Sequence, residues 1–91
     1  HEDVADHALA LMLAARRRVV DGDRIVRSGS WAIEQRLITP SMRGQRVGIV
    51  GLGAIGEAVA LRGAVMGCEV RWWGPRDKAQ AAWPKAGSLV E

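Results

Sequence analysis

The sequence predicts an α/β chain in which one βαβ unit of a parallel sheet follows a long helix. Three observations carry that reading. Val47-Gly48-Ile49-Val50 is a short unbroken apolar run, as expected of a strand buried on both faces of a parallel sheet. Gly51-Leu52-Gly53-Ala54-Ile55-Gly56 follows at once and opens a helix of small apolar residues to Met66. Glu69-Val70-Arg71-Trp72-Trp73 then reads as a second strand, closed by the breakers Gly74-Pro75.

The elements divide the chain into residues 1–45, a long helix with a connecting segment, and residues 46–91, the βαβ unit. Residues 4–20 read as a single helix with Asp3 as N-cap and Asp6 at the capping-box position. Val4, Ala8, Leu11 and Ala15 mark one face, and Leu9, Met12 and Leu13 mark another. Apolar residues therefore wrap most of its circumference, the pattern of a helix between layers or at an interface. Arg16, Arg17 and Arg18 fall in the last turns, where cations complement the helix dipole, and Asp21-Gly22-Asp23 supplies a stop. Residues 24–45 connect, with Ser28-Gly29-Ser30 before Trp31 and Thr39-Pro40-Ser41 before the first strand. Gly67 sits where a glycine ends the second helix. Ser88-Leu89-Val90-Glu91 resembles the start of a further helix.

A bare G-x-G-x-x-G is a weak signal in a chain with 11 glycines. Its position between an apolar strand and a helix makes it a dinucleotide-binding fingerprint. Gly51 turns the chain off the strand, Gly53 leaves room for a pyrophosphate against the backbone, and Gly56 permits close helix–strand packing. The first helical amides lack internal partners and point at the anion with the positive end of the dipole. The fold implied is part of a Rossmann domain. Leu52, Ala54 and Ile55 complete the predicted cofactor-binding turn.

The end of the second strand bears on which dinucleotide is bound. An NAD site places an acid there, about 20 residues past the first glycine, against the ribose hydroxyls. Here that position is Gly74, followed by Pro75, Arg76, Asp77 and Lys78. Gly74 removes the group that would repel a 2′-phosphate, and Arg76 offers a planar fork to it, with Lys78 nearby. These residues predict NADP(H) in preference to NAD(H), with Asp77 as the dissenting charge.

Composition excludes several other classes. The chain has 91 residues, 48% hydrophobic and 25% charged, which are globular values that argue against disorder. One cysteine forms no internal disulfide, and no Cys/His spacing suits zinc, so no metal site is expected. No apolar run approaches the ~18 residues of a membrane span and no signal peptide is evident, so a cytoplasmic location is the expectation. The net charge of +3, with 11 arginines among 13 cations, raises the question of a phosphate-bearing partner without answering it. Nucleic acid is not the expected one, because Trp72 and Trp73 point to opposite faces of a strand and form no stacking platform. His7, in the first turns of an apolar helix, reads as structural or as a subunit contact, Cys68 as a buried thiol, and Glu57 as a surface acid that suits the helix dipole.

With these residues in place, the chain resembles the D-isomer-specific 2-hydroxyacid dehydrogenase family. Residues 3–17, beginning Asp3-Val4-Ala5-Asp6-His7, resemble the long helix leading into that family's nucleotide-binding domain. Ser28-Gly29-Ser30-Trp31 resembles the segment after it, and Gly44-Gln45-Arg46 through Gly56 resembles the cofactor signature. Trp73-Gly74-Pro75-Arg76 resembles the NADP-using glyoxylate and hydroxypyruvate reductase branch. The resemblance implies part of a two-domain, usually dimeric oxidoreductase, which transfers hydride between a nicotinamide and a small 2-oxo or 2-hydroxy acid. It places the substrate-binding arginine, the histidine acid/base and its partner acid C-terminal to this segment, so no catalytic residue is assigned here and this chain alone is not expected to turn over substrate. A homodimer through the first helix is the expected assembly. The same architecture also serves as a dinucleotide-sensing, corepressor-type scaffold, an alternative that fold alone leaves open.

Overall fold

A computed structural model describes residues 1–29, 39–76, 78 and 81–88. The order of elements is α1 (Glu2–Arg16), α2 (Val19–Ser28), β1 (Arg46–Val50), α3 (Ala54–Val65) and β2 (Glu69–Trp73). The α/β class and the βαβ unit stand as predicted. Trp31 and residues 89–91 lie outside the described residues, and with them the tryptophan segment and the start of a further helix.

The N-terminal half departs from the single helix expected over residues 4–20. α1 stops at Arg16, Arg18 takes a left-handed backbone (φ 54°), and α2 starts at Val19. Two interactions hold the break. The Arg17 guanidinium donates to the carbonyls of Thr39 (3.0 Å) and Pro40 (3.3 Å), and Arg18 Nε donates to Asp21 Oδ2 at 2.9 Å. The expected stop at Asp21-Gly22-Asp23 lies inside α2 instead. One glycine in a helix costs only about 1 kcal/mol, and Gly22 N–H bonds Arg18 C=O at 3.0 Å. The true stop is Gly29, at φ 76°, a conformation that suits a residue without Cβ. Asp3 is not the N-cap either. His1 C=O accepts from Ala5 N–H at 3.0 Å, which places Asp3 within the first turn.

β1 and β2 pair in parallel, with Arg46 opposite Glu69 and Val50 opposite Trp73. Parallel pairing needs the crossover that α3 provides. Residues of even and odd number alternate between the two faces. Val47, Ile49, Val70 and Trp72 face α3 and form the core with Leu52 and Ala60, joined by Cys68, Ala81 and Trp83. Beyond β2, Lys85 bridges Trp72 in parallel, so the chain begins to occupy a third strand position on that edge.

The helices stack on that same side. Ala5 of α1 is fully buried, and Arg62 of α3 reaches Glu2 (2.6 Å) and Asp6 (2.8 Å). The hydrogen bonds that Arg62 donates to Glu2 and then to Asp6 push its pKa up from its ordinary value. The expectation that β1 is covered on both faces fails for the described residues. Gly48 is exposed and Val50 is 72% exposed, because α1 and α3 occupy one side and no described element packs on the other. No helix among the described residues is long and apolar enough to cross a membrane.

Candidate cofactor-binding site

The site is built where β1 hands over to α3. Gly51 has φ 87°, a conformation that L side chains rarely adopt, and it turns the chain sharply away from the strand. Its N–H bonds Trp73 C=O at 2.7 Å, which ties the turn to the tip of β2. Gly53 caps α3 in an extended conformation with no side-chain cap. The first intrahelical bond runs from Glu57 N–H to Gly53 C=O at 2.9 Å, so the amides of Ala54, Ile55 and Gly56 lie ahead of the helical ladder.

Gly53 and Gly56 differ in what surrounds them. A Cβ at Gly53 would meet nothing within 4 Å, so open space lies against the backbone there. A Cβ at Gly56 would overlap the Gly51 carbonyl oxygen and stand 3.1 Å from Ile49 Cγ2, so its absence lets helix and strand close together. Exposed amides, the positive end of a 12-residue helix and free space fit a diphosphate in front of Gly53.

The other predicted site residues sort by position. Ala54 and Ile55 are exposed beside the turn, whereas the Leu52 side chain is 4% exposed and belongs to the core. The Leu52 side chain is therefore not available to a ligand. Gly74 is buried at the tip of β2, and Pro75 and Arg76 are exposed just past it. Lys78 returns to the glycine turn, where its Nζ donates to Leu52 C=O at 2.5 Å and pairs with Glu57 at 3.4 Å. Asp77, the dissenting charge, lies outside the described residues. Sequence reasoning missed the pairing of Glu57 with Lys78, two residues 21 positions apart that only the fold brings together. It also missed the contact between Trp72 and Gly74, although strand alternation puts both on one face. A groove of about 360 Å³ crosses the open sheet face past Arg46, Gly48, Val50, Arg71 and Trp73.

Residues 9–90 match the sequence profile described as D-isomer specific 2-hydroxyacid dehydrogenase, NAD binding domain. The chain belongs to the D-isomer specific 2-hydroxyacid dehydrogenase family. Among members of this family, hydroxyphenylpyruvate reductase of Plectranthus scutellarioides is 40% identical over 90 residues, which cover 99% of this chain and 29% of that protein. A dehydrogenase structure from Rhizobium meliloti matches with TM-score 0.82 and 44% identity over 98% of this chain and 30% of its own. An NADPH-dependent glyoxylate/hydroxypyruvate reductase from Sinorhizobium meliloti matches with TM-score 0.84 and 31% identity, over 98% and 29%. The chain thus spans about three-tenths of the length of these 2-hydroxyacid dehydrogenase relatives. The Rossmann-type fold and a nicotinamide dinucleotide as cofactor follow from membership of this family domain.

Proposed function

We propose that this chain is the cofactor-binding portion of an NADP(H)-dependent oxidoreductase that interconverts a small 2-oxo acid, of the glyoxylate or hydroxypyruvate kind, with its 2-hydroxy acid. The observation that carries the reading is the pairing of an open glycine turn with a strand tip at Gly74 that bears no carboxylate. In this assignment Gly51 sets the turn and Gly53 lets the pyrophosphate approach. The amides of Ala54, Ile55 and Gly56 donate to it, and Leu52 contributes backbone only. Gly74 and Pro75 would lie at the adenosine ribose, and Arg76 and Lys78 would hold its 2′-phosphate. NADP(H), when bound, gives or accepts the hydride. Residues 46–91 serve as the first βαβ unit of the dinucleotide domain and residues 1–45 as its lead-in. No residue here is assigned to substrate binding or proton transfer.

The name of one relative, an NADPH-dependent glyoxylate/hydroxypyruvate reductase, supports the substrate class and the cofactor. A charge-assisted hydrogen bond contributes about 1.5–3 kcal/mol, so one contact to the 2′-phosphate shifts preference on the order of ten- to a hundredfold. Calorimetric titration of the full-length protein with NADPH and NADH tests the reading, and NADH binding as tight as NADPH overturns the preference. We place the enzyme in the cytoplasm as a homodimer joined through α1, whose Val4 and Leu11 are exposed one above the other.

A further inference from the structure

The buried indole of Trp72 lies against Gly74. The two residues are i and i+2 along β2 and its continuation, so they share the face that packs on α3. A Cβ placed on Gly74 would stand 3.2 Å from Trp72 Cζ3 and 3.7 Å from Cε3. Carbon atoms settle at about 3.5–4.0 Å, so a side chain at this position requires the indole to give way.

The ring is poorly placed to yield. Trp72 is 3% exposed, and its Nε1 donates to Trp83 C=O at 3.1 Å. Its backbone is held on the far edge as well, with N–H to Pro84 C=O at 3.2 Å and C=O from Ala86 N–H at 2.8 Å. The Lys85 ammonium sits 5.2 Å from the ring centroid. Backbone conformation does not demand glycine here, because Gly74 is not among the positive-φ glycines. Space demands it.

We propose that Trp72 is a specificity-determining residue for the cofactor: its ring excludes a side chain at position 74 and so keeps from the strand tip the carboxylate that would select an unphosphorylated ribose. This rests on the assignment of Gly74 to the adenosine ribose made above. Cofactor preference then belongs to the Trp72–Gly74 pair, and exchanging Gly74 alone does not convert it.

The test uses the full-length protein, with Gly74→Ala and Gly74→Asp each made in the wild-type and Trp72→Phe backgrounds. Phenylalanine keeps an aromatic ring while removing the part of the indole that approaches Gly74. Thermal unfolding is followed without cofactor, and NADPH and NADH affinities are measured by calorimetry. Gly74→Ala is expected to lower Tm by about 3 °C or more beside Trp72 and by less than about 1 °C beside Phe. Gly74→Asp alone is expected to lose NADPH affinity about tenfold with no gain for NADH, whereas in the Trp72→Phe background it gains NADH affinity about tenfold. Equal Tm penalties in both backgrounds, or a tenfold NADH gain from Gly74→Asp alone, overturn the role of Trp72. If Gly74→Asp does not fold, the alanine pair decides. Wild-type binding of NADH as tight as NADPH overturns instead the preference on which the proposal rests.

Discussion

Lys78 Nζ donates to the carbonyl of Leu52 at 2.5 Å, across 26 positions of sequence. The bond ties the loop after β2 to the glycine turn after β1, and Glu57 steadies the same ammonium at 3.4 Å. On the assignment proposed above, this cation lies between the diphosphate and the 2′-phosphate of NADP(H). Both side chains of the ion pair are more than two-fifths exposed, so the pair adds little to stability. On the proposed assignment its effect belongs to binding.

Replacing Lys78 with methionine is therefore expected to weaken NADPH binding about tenfold and NADH binding less, with Tm nearly unchanged. Removing one phosphate contact also makes NADPH affinity less dependent on salt. Calorimetric titrations at two ionic strengths check both effects. Equal loss for the two cofactors would remove Lys78 from the 2′-phosphate.

The glycines of the turn separate fold from ligand. Gly53→Ala places its methyl in open space, so Tm should hold while both dinucleotides bind at least about tenfold more weakly. Gly56→Ala drives its methyl into the Gly51 carbonyl, so stability should fall by about 1–3 kcal/mol, the usual cost of overpacking. Thermal unfolding and cofactor titration on both variants provide the comparison. A Gly53→Ala protein with wild-type affinity would place the pyrophosphate elsewhere.

Much of this arrangement is legible in the sequence because it is local. β2 runs over the five residues that read as a strand closed by the Gly74-Pro75 breaker, and α3 begins inside the glycine motif. The break at Arg18 is not legible. It depends on Arg17 reaching carbonyls 22 and 23 positions away, an interaction that helix propensity does not encode. The glycine at position 22 misleads for the same reason, since a helix tolerates one glycine when its flanks are held. The coverage of β1 fails as an inference because an apolar run reports what a strand can bury, whereas here Val50 has nothing packed over it among the described residues. At the site, the residue types at positions 74–78 are readable, but the return of Lys78 to Leu52 requires the folded crossover.

Arg62 links α1 to α3 through Glu2 and Asp6, with its side chain 18% exposed. Arg62→Met should loosen α1, seen as several-fold faster amide exchange around Ala5 with little change in β1 and β2. The sign of the pH dependence follows from the raised Arg62 pKa. A cation stabilised by folding contributes fully below its unfolded pKa and loses that contribution only as pH rises through the folded value. Exchange protection of α1 should therefore not decline from neutral to moderately alkaline pH through loss of the Arg62 charge. A decline in that window that is absent from the Arg62→Met protein would contradict it.

Prepared as these 91 residues alone, the chain should not behave as a well-packed monomer. Val50 and Gly48 lie on an open sheet face, and Val4, Leu11, Leu61 and Val65 are exposed on the helices. A chain of this length buries only roughly 60% of the surface its unfolded form exposes, so little stabilisation remains to offset chain entropy. Exposed apolar patches of this kind drive association. Sedimentation should find oligomers or aggregates, and calorimetry a broad transition with little cooperativity. A monomeric mass with one sharp unfolding transition would instead mean that α1, α3 and the two strands close a sufficient core by themselves.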